Sequence, residues 1–255
     1  MLKSTIISVV YLLFNMQSLN CYEIKSREEL FVYLIDNGVD YINNSNRYQL
    51  RTNFCEVHEL KNGKVCVFPT VGGKNTMGLL LNSKECLQNL IENDLFPLEN
   101  NQKTYFDSEP KICRNFKEDI PLLKSHSDSL LGRVSNFLDI VELENLFETI
   151  KKKKGNRNLK PIDFLSMGAM LGEKIISENQ GYKWILKKVY GTWNPYFEPL
   201  ILTNNNKVIR IFDLLLDNMD WKSKSLSDYF FKSNFLLNPV EDVKYYRLEE
   251  IIYFH

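Results

Sequence analysis

A chain of 255 residues with 32 basic and 32 acidic side chains has no electrostatic excess to offer a polyphosphate, so nucleic acid is not an expected partner. Apolar residues at 44% and aromatic residues at 13% exclude a disordered chain and suffice for a sizeable core in one or two domains.

In chain order, residues 1–21 read as an export segment. Lys3 supplies the positive start, Ile6 to Phe14 is an uninterrupted apolar run, and Asn15 to Cys21 is a short polar tail. The run is too short to cross a bilayer of about 30 Å as a helix, which is the layout of a secretory signal peptide. The expected destination is periplasmic or extracellular. Two outcomes stay open at the end of the segment. Ser18-Leu19-Asn20-Cys21 loosely follows a bacterial lipobox, which makes Cys21 a lipidation candidate and a membrane anchor. Ordinary cleavage after Asn20 or Cys21 would release the chain instead. Beyond that point the cysteines are Cys55, Cys66, Cys86 and Cys113, an even number for which at least one disulfide is expected in an oxidising compartment.

Ser26-Arg27-Glu28-Glu29 has the form of a capping box and predicts a helix over Leu30–Ile42. Tyr48 to Thr70 alternates like strands, with Asn62-Gly63 as the hairpin turn between 57–60 and 65–68. Asn82-Ser83-Lys84-Glu85 predicts a second capped helix reaching Asp94, and 97–121 reads as a long polar connection. Ser127 to Lys154 reads as one or two helices with Leu130, Val134, Phe137, Leu138 and Val141 on one face. Lys151 to Lys154 with Gly155 marks a helix end. Pro161 opens a helix to Asn179. Strands at 182–190, 199–203 and 207–212 follow, then short helices at 214–219 and 226–235. The expectation is an α+β protein of two small subdomains, with mixed or antiparallel short sheets packed against helices: 22–154, a linker at 155–160, and 161–255.

Candidate chemistry is sparse. Cys55, His58 and Cys66 carry zinc-type donors, but positions 55 and 58 have opposite parity on a strand, and no metal or other cofactor is expected. Thr70-Val71-Gly72-Gly73-Lys74-Asn75-Thr76 departs from a phosphate loop, since Asn75 stands where Ser or Thr would hold magnesium. His126-Ser127-Asp128 contains the triad residue types, but adjacent residues do not form the required chain of hydrogen bonds.

The segment Met167-Gly168-Ala169-Met170-Leu171-Gly172-Glu173 places Gly168 and Gly172 on one helix face, where another element can approach closely. Trp184 and the aromatic stretch 190–197 come next. This order resembles an uncharacterised bacterial domain family of unknown function. In that family a Met-Gly…Leu-Gly-Glu helix precedes a tryptophan strand, a Tyr-Gly turn, an apolar strand and a closing helix. The matching pieces here are Met167–Glu173, Trp184, Tyr190-Gly191, Leu200–Leu202 and Ile209–Met219. Thr192–Glu198 departs from the pattern as an insertion. The resemblance implies an accessory or immunity-type protein and no particular reaction. The expected function is therefore binding of another protein outside the cytoplasm. Glu173, Trp193 and Tyr196 are the contact candidates, in a groove between the 161–179 helix and the 190–197 loop. The alternative is a cell-wall or glycan-acting hydrolase that uses two carboxylates in that groove.

Overall fold

The computed structural model describes residues 21–37, 55–101, 103–219, 241–242 and 251–254. The body of the export segment, the end of the helix expected to reach Ile42 and the helix expected at 226–235 lie outside the described residues. The chain is α+β and divides into two compact units. Unit 1 is the chain up to Gln102 together with Tyr190–Pro195, and unit 2 is Lys103–Val189 with the chain from Tyr196 onward. The linker expected at 155–160 thus falls inside unit 2, because the helices on either side of it pack on each other around one core.

In unit 1 the elements are β1 (Tyr22–Ser26), α1 (Arg27–Asp36), β2 (Cys55–Glu59), β3 (Val65–Pro69), β4 (Met77–Leu81) and α2 (Lys84–Glu92). The strands form an antiparallel sheet in the order β1-β4-β3-β2. The hairpin turn is as expected: Gly63 takes φ +80°, a conformation open to glycine, and Asn62 Oδ1 accepts from the Lys64 amide at 3.0 Å. The capping box also forms, with Ser26 Oγ accepting from the Glu29 amide and Glu29 Oε2 accepting from the Ser26 amide. At the second helix the cap is Ser83, one residue later than the start of the expected box.

Strand parity explains why β3 is buried on both faces. Cys66 and Phe68 join Leu80 and meet Leu30 and Leu34 of α1. Val65 and Val67 join Val57, Leu79 and Leu81 and meet Leu87 of α2, Phe96 and Trp193. The same parity separates Cys55, which packs on the second cluster, from Cys66 in the first.

The disulfide joins Cys21 to Cys86. Cys55, Cys66 and Cys113 are free thiols, so of the four expected partners only Cys86 is bridged. The missing partner was Cys21. Its sulfur is bonded to another sulfur and so is not free to carry the thioether of a lipid anchor. The pairing follows from the fold: Tyr22 faces Leu81 across β1 and β4, and the Asn82 amide donates to the Cys21 carbonyl at 3.0 Å, which brings the start of β1 to the start of α2.

Unit 2 contains α3 (Tyr105–Ser108), α4 (Pro110–Arg114), α5 (Ile120–Leu131), α6 (Ile140–Gly155), α7 (Pro161–Glu178), β5 (Lys183–Tyr190), β6 (Pro195–Leu202), β7 (Lys207–Ile209), α8 (Ile211–Met219), β8 (Glu241–Asp242) and β9 (Ile251–Tyr253). Its sheet runs β8-β7-β6-β5-β9. The connection expected over 97–121 holds two short helices, the first opened by a Thr104–Asp107 capping box. α5 stops at Gly132, which takes φ +69°, so 127–154 is two helices. That break also spoils the expected common face: Phe137 is buried, whereas Val134, Leu138 and Val141 are exposed.

α7 is the central helix, buried without interruption from Asp163 to Gly172 and packed on α3, α5, α6 and α8. Its glycines admit two aromatic rings. A methyl built on Gly168 would overlap the Phe212 ring, and one on Gly172 would overlap the Trp184 indole. Trp184 is held in place because its Nε1–H donates to Glu173 Oε1 at 2.8 Å. Gly172→Ala should therefore destabilise unit 2. Helix propensity improves by about 1 kcal/mol, but overpacking a fixed indole costs roughly 1–3 kcal/mol and more where nothing gives. Urea unfolding should show a net loss. A variant as stable as the parent would mean that the Trp184 ring can move away.

Candidate functional site

Among the described residues, unit 2 carries a cleft of about 600 Å³. Tyr196 and Glu198 stand two apart on β6, so their side chains leave the strand on the same side. Arg210 follows β7, and Asp213 lies in the first turn of α8. The rest of the wall comes from Lys103 to Phe106, Ser108, Leu159, Pro161 and Leu216. Phe106 stacks on Tyr196 with ring centroids 6.2 Å apart and meets Phe212 edge-on, which fixes the aromatic side of the cleft.

The charged groups converge on one guanidinium. Arg210 Nη2 donates to Asp213 Oδ2 at 2.9 Å and to Glu198 Oε1 at 3.4 Å. Glu198 is only 5% exposed. Burial raises its carboxyl above the usual range, with Asp213 adding to the rise and Arg210 and Lys187 opposing it. Burial likewise pushes the Tyr196 phenol up to about 12, reinforced by Glu198, Asp107 and Asp213 against the single opposing charge of Arg210. Such a site can accept hydrogen bonds, pair a charge and cover an apolar or aromatic face.

The three expected contact residues have three different settings. Tyr196 lines the cleft. Glu173 is committed to the Trp184 indole. Trp193 belongs to unit 1, where it is 2% exposed and lies 5.8 Å from Phe96, so it is a core residue rather than an exposed contact. The loop that carries it is clamped by two asparagines. Asn100 Oδ1 accepts from the amides of Trp193 and Asn194, and the Asn194 side chain bonds the backbone of Phe96 and Leu98.

Glu198, Arg210 and Asp213 escaped the sequence reading. The available signal was a lone glutamate inside the apolar run Phe197–Leu202 and a lone arginine inside Val208–Phe212, since a buried charge is costly unless paired or used.

Two other polar clusters have structural explanations. The Thr70–Lys74 loop is tied down by Arg27, which donates to the carbonyls of Gly72 and Thr70, while Lys74 pairs with Glu28 at 3.2 Å. His126 finds its carboxylate not in Asp128 but in Asp163, at 2.8 Å. Asp163 is fully buried and also takes Lys153 Nζ at 2.9 Å and the Lys160 amide at 3.0 Å, so α5, α6 and the start of α7 meet on one carboxylate.

Among the described residues no helix is long and apolar enough to cross a membrane. Comparison with protein-family models, with curated proteins and with solved structures finds no match to this chain.

Proposed function

We propose that the protein is an exported accessory module of immunity type that binds another protein, and that it takes its partner at the unit 2 cleft. The observation that carries this reading is the convergence of Tyr196, Glu198, Arg210 and Asp213 in an aromatic-walled concavity. A largely apolar hollow with a few convergent polar groups is the usual form of a recognition site. Export is supported by the apolar run at 6–14 and by the Cys21–Cys86 disulfide, a bond at home in oxidising compartments. The accessory role follows the family that Met167–Glu173 and Trp184 resemble.

A second reading has its own observation. Glu198 and Asp213 are two carboxylates in one cleft, one of them raised by burial, and such a pair can serve glycoside hydrolysis as acid and base. The shared guanidinium weighs against it, because Arg210 already pairs with one oxygen of each carboxylate, Asp213 Oδ2 at 2.9 Å and Glu198 Oε1 at 3.4 Å.

The test places a photo-cross-linking benzoylphenylalanine at Lys103, an exposed residue at the cleft, in the full chain expressed in its own host. Irradiation is expected to give a discrete adduct with another polypeptide, lost when Tyr196→Ala is added. No polypeptide adduct, together with release of reducing ends from cell-wall glycan that Glu198→Gln abolishes, would transfer the assignment to a hydrolase.

A further inference from the structure

On the reading that unit 2 binds another protein, we propose that the turn between α6 and α7 is a second part of that interface and takes an acidic segment of the partner on Lys152, Arg157 and Lys160. From Thr149 to Ile162 the chain carries six cations and no carboxylate. Lys151 pairs with Glu148, Lys153 pairs with the buried Asp163, and Lys154 has an interaction of its own. Lys152, Arg157 and Lys160 are exposed and form no ion pair among the described residues.

A solvated helix end accounts for only part of this cluster. Cations in the last turn of α6 complement its dipole, which explains Lys152. Arg157 and Lys160 stand where the local structure favours other residues. Arg157 takes φ +59°, the left-handed conformation that glycine or asparagine occupies at helix ends, and both of its neighbours are asparagine. Lys160 is the N-cap of the 18-residue α7, a place for Ser, Thr, Asp or Asn, and it adds a positive charge to the positive end of the dipole. Its amide bonds Asp163 Oδ2 at 3.0 Å, but the side chains that pair with that carboxylate are those of His126 and Lys153. Two cations kept against local preference, in one turn with a third that is unpaired, mark a place used for something other than folding.

The setting selects carboxylates on a polypeptide. A guanidinium with two ammonium groups attracts anions. Among the described residues of 142–162 no large apolar side chain is exposed, so the turn has nothing to insert into a bilayer, and three charges without an apolar anchor hold to a lipid surface weakly. Leu159 and Pro161, on either side of Lys160, line the unit 2 cleft. An acidic stretch lying on the turn therefore continues directly into a chain seated in the cleft.

The probe is acetyl-hexaglutamate amide, titrated into the isotopically labelled full chain and followed by amide NMR. Acetyl-hexalysine amide, inorganic phosphate and phosphatidylglycerol vesicles are run beside it. Hexaglutamate is expected to shift the resonances of 152, 157 and 160 and to lose its effect as salt is raised, while hexalysine leaves them in place. Arg157→Asn combined with Lys160→Asn should weaken hexaglutamate about fivefold or more, each exposed charge contact being modest by itself. The same double variant should unfold at an equal or higher urea concentration, because asparagine suits both positions. No shift by hexaglutamate, or undiminished binding by the double variant, overturns the proposal. A double variant that is unfolded or less stable than the parent also overturns it, since the cations would then serve the fold. Tighter binding to the vesicles than to the peptide, or an equal response to phosphate, would make the turn a lipid or phosphate site and likewise overturns it. The cross-link from Lys103 reports separately on the cleft: an adduct there without a hexaglutamate response leaves the partner reading standing and removes the basic turn from it.

Discussion

Replacing Asp163 by alanine is expected to cost unit 2 about 3 kcal/mol or more, the range for breaking a buried charge network. The carboxylate is fully buried and takes three donors: His126 Nε2, Lys153 Nζ and the Lys160 amide. His126 and Lys153 are partly exposed and can turn to water when it is gone. What is lost is the bond that closes the start of α7 and the point where three helices meet. Burial works to raise the Asp163 carboxyl, but the hydrogen bonds from His126, Lys160 and Lys153 outweigh it and hold the group below its ordinary value. Because Asp163 is ionised and accepts only, the His126 nitrogen that faces it carries the proton. The pH dependence follows from that sign. A carboxyl depressed in the folded state contributes fully above its unfolded value of about 3.9, and the contribution disappears as the pH falls through the folded value. Urea unfolding at pH 7 and at pH 3 should show the parent losing stability in acid more steeply than Asp163→Ala or Asp163→Asn. Parallel acid profiles would mean that the network is electrostatically neutral and that the helices are held by packing alone.

What the sequence discloses here is what short stretches decide by themselves. Ser26 to Glu29 and Asn62-Gly63 form their cap and turn from neighbours alone, and both occur where expected. The Gly168/Gly172 spacing correctly signals a close approach, though only the fold supplies Phe212 and Trp184 as the rings that fill it. Elements defined by distant partners are silent. β4 is a five-residue run, MGLLL, with no alternation to announce it, because β1 and β3 pair on its two edges and its side chains from Leu79 to Leu81 are covered on both faces. α3 and α4 are four and five residues long, too short for a periodic pattern to register.

The site was less legible than the fold for the same reason. Tyr196 was found as an aromatic residue in a conspicuous stretch, but Trp193 in that stretch fills a core instead. The two differ in what the fold brings to them, Phe96 for one and Glu198 with Arg210 for the other. His126 shows the point in a polar setting. Its sequence neighbour Asp128 is bonded to Lys124 and to the Ser135 amide, while the aspartate that serves it comes from 37 residues along the chain.

Cleaving the Cys21–Cys86 disulfide is expected to lower the stability of unit 1 by about 4 kcal/mol, the loop-closure value for cysteines 65 residues apart. The loss should be felt first in β1. That strand pairs with β4 from Tyr22 to Ser26, and the bridge anchors the chain immediately before it. Of the remaining thiols, Cys66 and Cys113 are completely buried, and burial pushes both thiols up, Cys66 to about 12, so neither offers a thiolate for exchange in the folded state. Cys55 is half-buried, with its thiol donating to the Thr192 carbonyl at 3.2 Å. Alkylation in denaturant should accordingly label three cysteines before reduction and five after it, and peptide mapping should recover Cys21 linked to Cys86. Cys86→Ala should reproduce the stability loss of reduction, and the two changes together should cost no more than either alone. A chain that labels five cysteines without reductant, or a lipid-sized mass on Cys21, would remove the bridge. With it would go the strongest physical support for an oxidising destination, since the same sulfur cannot serve as both cross-link and anchor.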